Sequence, residues 1–214
     1  MHHFDSIIFD LDGTLWDASV TCAEAWNIAL KNAGIIGCEV TADQIREVSG
    51  LPFEECVGVL FRGLPQDTIE RLAVDIDAQE SAALRVRGGQ LYENVAAGIR
   101  ELAQRYKLFI VSNCQSWYLQ LFLDQHDMRQ NFLASSCHGD MSLDKKDMIS
   151  QICGSHSLQF PIYIGDTARD QLASLQAGVK FGFASYGFGH ADQPEYTFSS
   201  FSQLTAWFNS GKAA

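Results

Sequence analysis

SIIFDLDGTLWD, Ser6 to Asp17, sets three aspartates within eight residues directly behind an apolar run. Ile7, Ile8 and Phe9 read as a strand buried on both faces, so Asp10 and Asp12 stand at the mouth of a core. In locally extended backbone, residues two apart point the same way. At ~4 Å two carboxylates repel by about 1 kcal/mol in water and about 4 kcal/mol at an effective dielectric of 20. A chain that keeps both needs a compensating charge, and a hard divalent cation with oxygen ligands is the natural one. Gly13 and Thr14 allow a tight turn whose backbone N–H groups would suit an anion beside that metal.

Outward from this stretch, similar runs recur and end abruptly in polar residues: LFIVSN at 108–113, FLASSC at 132–137 and PIYIGD at 161–166, with VKFGFAS at 179–185 after them. They read as buried parallel strands. Between them lies helical spacing, in Val95, Ile99, Leu102 and Tyr106, and again in Leu172 and Leu175 before Gly178. Strands alternating with helices predict an open α/β sheet. Ligands of such sheets bind beyond the carboxyl ends of the strands, which here carry Asp10, Ser112 with Asn113, and Asp166. Asp170, in GDTARD, adds a further carboxylate.

Residues 18 to about 90 hold no convincing strand. Ala23, Trp26, Leu30 and Ala33 form an apolar stripe ending at Gly34, and Thr41 with Gln44 forms a capping box for a second helix. Pro52 opens a third with Phe53, Cys56, Val57, Leu60 and Phe61 on one face. A fourth follows Pro65 through Ile69, Leu72, Ala73 and Ile76. The segment reads as a helical insert with a flexible Gly88–Gly89 return.

Composition removes other classes of answer. A chain of 214 residues is one large domain or a core with a smaller insert. A formal net charge of −11 argues against nucleic-acid and anionic-membrane surfaces, which need Lys and Arg to neutralise phosphates. The six cysteines form no C-x-x-C pair and are read as reduced. The N-terminus lacks the basic-then-apolar pattern of a signal peptide, and no apolar run approaches ~18 residues, so the expected location is cytoplasmic. The six histidines show no metal-ligand spacing and are read as non-catalytic, His2 and His3 among them.

DLDGTLWD, VSN, a downstream Lys and GDTARDQLASLQAG, in that order on successive strand ends, resemble the haloacid dehalogenase-like phosphohydrolase superfamily. The tail AGVKFGFASYGFG resembles its phosphoglycolate phosphatase group. The resemblance implies a three-layer Rossmann-like core, 1–16 with 91–214, bearing a mainly parallel sheet, and a small helical cap, 17–90, inserted after the first strand. It also implies a Mg²⁺-dependent phosphatase acting on a small-molecule phosphate monoester, as a monomer or homodimer. Asp10 would be the nucleophile that becomes an aspartyl-phosphate, and Asp12 the acid and then the base. Mg²⁺ would be held by Asp10, the Asp12 backbone carbonyl, Asp166 and, in support, Asp170. Leu11, Ser112, Asn113 and Lys145 would bind the phosphoryl group. In LDKKDMI, Lys145 is the better match, with Lys146 as the alternative.

Other readings stand beside this one. The aspartates before Gly13 could form a simple Asx turn, and GDTARD a strand end with a helix cap. A phosphomutase would use the same aspartyl-phosphate, yet the loop VSGLPFEECV, 48–57, offers no Lys or Arg for a second phosphate. A dehalogenase would need neither Asp12 nor the metal carboxylates. A catalytically silent binding module would have no use for the intact acids. Cys114 reads as a packing residue, and Trp16 is expected to line the entrance to the site.

Overall fold

A computed structural model describes residues 4–210; His2 and His3 lie outside the described residues. The β-branched and aromatic runs become a parallel sheet: β1 (Ser6–Phe9), β4 (Lys107–Ser112), β5 (Ala134–Cys137), β6 (Pro161–Gly165), β7 (Lys180–Ala184) and β8 (Tyr196–Phe198). Their order is β5-β4-β1-β6-β7-β8, and every pairing is parallel. A separate antiparallel pair joins β2 (Trp16–Asp17) to β3 (Gln90–Leu91). Neither β8 nor this pair has a sequence signal. Both are short and draw their stability from the neighbour to which they bond.

Alternation along the strands divides the core in two. Ile7, Phe9, Leu108, Ile110, Ile162 and Ile164 face one hydrophobic cluster, and Ile8, Phe109, Val111 and Tyr163 face the other. The helices are α1 (Ser19–Asn32), α2 (Ala42–Val48), α3 (Phe53–Leu60), α4 (Gln66–Arg87), α5 (Val95–Leu102), α6 (Ser116–Gln125), α7 (His138–Met141), α8 (Lys145–Ser155), α9 (Ala168–Gln176) and α10 (Phe201–Asn209). Helices α5, α6 and α10 cover the first cluster, while α8 and α9 cover the second. This is the three-layer α/β arrangement with a helical segment following the first strand. No helix among the described residues is long and apolar enough to cross a membrane.

In that segment, α1 lies along α4, burying Ala23, Trp26 and Leu30 of the first and Leu72, Ile76 and Leu84 of the second. Thr41 caps α2 as the capping box predicts, its Oγ1 accepting from the Gln44 N–H at 3.2 Å. Ala33 of the expected stripe falls just past the end of α1 and is exposed.

Two expectations change. The Gly88–Gly89 return is packed rather than flexible: Thr21 donates to the Gly88 carbonyl at 2.9 Å, and a Cβ on Gly89 would collide with the Trp16 ring. On α9 the leucines do not face the core, since Leu172 and Leu175 are 57% and 60% exposed. The buried face is Asp170, Ala173 and Ser174, side chains small enough for α9 to sit close on the sheet.

Candidate active site

Three adjacent parallel strands, β4, β1 and β6, end side by side and put Ser112, Asp10 and Asp166 on one edge of the sheet. The Asp10 N–H still donates to the Ile164 carbonyl at 2.8 Å, which fixes its position relative to Asp166. Asp10, Asp166 and Asp170 are buried, and each offers a carboxylate oxygen within 4.8 Å of the others.

The first turn of α8 brings in Lys145. Its Nζ donates to Asp10 Oδ1 at 3.0 Å and to Asp170 Oδ1 at 2.6 Å, and the residue is 6% exposed. Burial opposes the ammonium charge, but Asp10 and Asp170 outweigh it and raise the Lys145 pKa. Lys146 points away, half-exposed, with Asp144 at 3.9 Å.

One ammonium does not balance three carboxylates. Burial and Asp170 push Asp10 up to about 6 against the pull of Lys145. Burial, Asp170 and Asp10 push Asp166 well above the usual carboxylate range. Asp166 Oδ2 accepts from the Phe188 N–H at 2.7 Å, but its Oδ1 is buried with no partner. Gly13 and Gly187 close around this carboxylate, where a Cβ on either would overlap it, and Gly13 adopts φ +76°. An orphaned oxygen within an all-oxygen donor set, without His or Cys, fits Mg²⁺.

Asp12 turns its carboxyl away from this cluster. Its Oδ1 accepts from Trp16 Nε1 at 3.1 Å and from Tyr118 Oη at 2.5 Å. Burial, with help from Asp10 and Glu80, raises it to about 7, so near neutrality a large share of the carboxyl carries a proton. Trp16 therefore has a different place from the one expected. It is fully buried, packed edge-on to Tyr118 and Phe122, and orients Asp12 from within the core.

The turn after β1 also differs from expectation. Gly13 N–H donates to the Trp16 carbonyl at 3.0 Å and Thr14 N–H to the Leu11 carbonyl at 3.2 Å, so both are committed to the turn. The Leu11 side chain is fully buried, and its backbone N–H bonds the Asp10 carboxylate. Ser112 Oγ accepts from the Cys114 N–H at 3.4 Å, and the Asn113 side chain donates to the Gly50 carbonyl at 2.7 Å. That last bond ties the edge of the sheet to the loop between α2 and α3.

Between this edge and the helical segment lies a cavity of about 70 Å³, lined by Asp10, Asp12 and Ser112 from the core and by Ser19, Trp26 and Glu80 from α1 and α4. Among the described residues its lining contains no Lys, Arg or His. The sequence reading missed Tyr118 and Glu80. Nothing local marks Tyr118, which reaches Asp12 from 106 residues away. Glu80 did leave a signal: Leu72, Ile76, Glu80 and Leu84 continue the apolar spacing of α4, with an acid in the third place.

Comparison with known proteins supplies the family. Residues 7–184 match the family model of the haloacid dehalogenase-like hydrolases. A phosphoglycolate phosphatase of Aliivibrio fischeri is 28% identical, the match covering 94% of each chain. One from Xanthomonas campestris is also 28% identical, over 87% of this chain and 86% of the relative. A solved structure of a haloacid dehalogenase-like hydrolase from Streptococcus pneumoniae superposes with a TM-score of 0.81 at 24% identity, over 96% of this chain and 98% of that one.

Proposed function

The chain belongs to the haloacid dehalogenase-like hydrolases as a phosphoric monoester hydrolase, and we propose that it cleaves a small phosphate monoester through an aspartyl-phosphate on Asp10, with Mg²⁺ bound. The observation that carries this reading is the bridge of Lys145 between Asp10 and Asp170, beside an orphaned Asp166 oxygen, with Asp12 held apart and partly protonated.

The Asp10 carboxylate attacks phosphorus and the bond to the ester oxygen breaks. Asp12, steadied by Trp16 and Tyr118, gives its proton to the departing alkoxide. Asp12 then takes a proton from water, whose oxygen attacks phosphorus and frees Asp10 and inorganic phosphate. Lys145 keeps Asp10 aimed and offsets negative charge, while Ser112 and the backbone at Leu11 and Asn113 receive phosphoryl oxygens. Asp10, the Asp12 carbonyl, Asp166 and Asp170 would hold Mg²⁺, which when bound neutralises the phosphoryl and carboxylate charge.

Residues 17–90 act in this proposal as a cap that excludes bulk water from a core of 1–16 and 91–214. The Asn113–Gly50 bond, 2.7 Å long, joins the two and supports a closed arrangement. A phosphomutase would need a cation for a second phosphate, and the cavity lining lacks one. The test is phosphate release from a panel of monoesters with and without Mg²⁺. Turnover should stop with EDTA, return with Mg²⁺, and vanish in Asp10→Asn. Near-wild-type release from Asp10→Asn would overturn the covalent mechanism, and indifference to chelation would overturn the metal.

A further inference from the structure

The cavity has a polar floor for which the phosphoryl chemistry has no use. Glu80 sits on the buried stripe of α4 and is 5% exposed. A carboxyl there is costly unless it has a partner, and an apolar residue would serve the helix packing better. It is not half of a buried ion pair. Its contacts are Trp26 Nε1, donating at 2.6 Å, and Cys22 Sγ, at 3.5 Å, which leave a lone pair free on each oxygen. Ser19 stands on the same face of α1 as Cys22 and Trp26, three and seven residues before them. It is 3% exposed, and its Oγ has no hydrogen-bond partner. Both side chains line the same cavity as Asp10, so an ester attacked by Asp10 presents its alcohol portion to this lining.

We propose that Ser19 and Glu80 bind the alcohol portion of the substrate and select a short phosphomonoester whose alcohol carries a hydrogen-bond donor, hydroxyl or ammonium, and no second negative charge. A donor group satisfies the Glu80 carboxylate and the orphaned Ser19 hydroxyl together. A carboxylate in the same place loses its water shell beside a buried acid, with no cation among the described lining residues to balance it, so the chain selects against 2-phosphoglycolate, the ester for which its relatives are named. A volume of about 70 Å³, against roughly 10–15 Å³ for one water on the same measure, holds a few heavy atoms of the alcohol between the lining residues. This inference rests on the phosphatase reading above.

The test measures kcat/KM with Mg²⁺ for glycerol 1-phosphate, phosphoethanolamine, propyl phosphate and 2-phosphoglycolate, in the wild type, Glu80→Gln and Ser19→Ala. In the wild type, the hydroxyl or the ammonium ester should exceed both propyl phosphate and 2-phosphoglycolate by about tenfold or more, and whichever leads identifies the donor. Glu80→Gln should shrink the ratio of that ester to propyl phosphate at least about fivefold, and Ser19→Ala should shrink it in the same direction. Because each ratio is taken within one preparation, loss of folded enzyme cancels. Ratios identical in all three proteins, or 2-phosphoglycolate as the best ester, would overturn this inference and leave the phosphatase standing. Release of phosphate from none of the four and from no other monoester would overturn both.

Discussion

Lys145 and Lys146 are neighbours in the chain and opposites in the molecule. A step of ~100° around α8 turns one ammonium into the carboxylate cluster and the other to solvent. Lys145→Ala should lower kcat/KM about a hundredfold or more, since it removes a charge-stabilising donor worth ~3 kcal/mol and leaves Asp10 and Asp170 facing each other. Lys146→Ala, at a half-exposed residue outside the carboxylate cluster, should change it by less than about threefold. Assays on variants matched by circular dichroism check this, and the reverse ranking would move the site by one residue. Glu80 gives a second test at this scale. Burial raises it from 4.5 to about 7, so the folded state holds this proton more tightly than the unfolded chain. Its contribution to stability is complete below pH about 4.5 and lost as pH climbs to about 7, a change on the order of 3 kcal/mol at most. In urea titrations of metal-free protein, the stability of the wild type relative to Glu80→Gln should therefore fall between pH 5 and 7.5. A difference independent of pH would show that the Glu80 proton is not held.

Among the elements, α9 ties folding to chemistry most directly. Thr167 Oγ1 accepts from the Asp170 N–H at 3.2 Å, while Asp170 Oδ2 accepts from the Thr167 N–H at 3.0 Å and its hydroxyl at 2.7 Å. The other Asp170 oxygen receives Lys145. The helix cap thus fixes the carboxylate that fixes the lysine. Helix α2 has a capping box of the same type at Thr41 and Gln44, remote from the cluster. Thr167→Ala and Thr41→Ala should each cost about 1 kcal/mol in chemical denaturation. Only Thr167→Ala should also lower kcat, by about fivefold or more, with Thr41→Ala within about twofold of wild type. Equal activities would mean that Asp170 keeps its orientation without Thr167.

At the scale of the whole molecule, strain gathers at one place, where Asp10, Asp166 and Asp170 share a buried edge with a single lysine. A divalent cation that binds there only in the folded state adds stability by mass action, about 2.7 kcal/mol at a hundredfold excess over its Kd. For a chain of this length that corresponds to a rise in Tm of roughly 5–10 °C. Thermal unfolding with EDTA and then with Mg²⁺ should show this rise, and Asp166→Asn, which neutralises the orphaned oxygen's carboxylate, should remove most of it. A Tm indifferent to Mg²⁺ in the wild type would place the cation elsewhere.

The sequence by itself determined the sheet and the edge where chemistry collects. Runs such as Ile7–Phe9 and Ile162–Ile164 are apolar on both faces, which only strands between two helical layers can satisfy, and parallel strands bring their polar ends together. Asp10, Ser112 and Asp166 were legible for that reason. Tertiary structure alone decided the choice of lysine, the turning of Trp16 inward to hold Asp12, the reach of Tyr118 to the same carboxyl, and the exposure of Leu172 and Leu175. It also decided that Glu80 meets Trp26 across α1 and α4. Periodicity states which face of an element is buried. What that face is buried against depends on contacts between residues 54 to 106 positions apart, and no local pattern carries them.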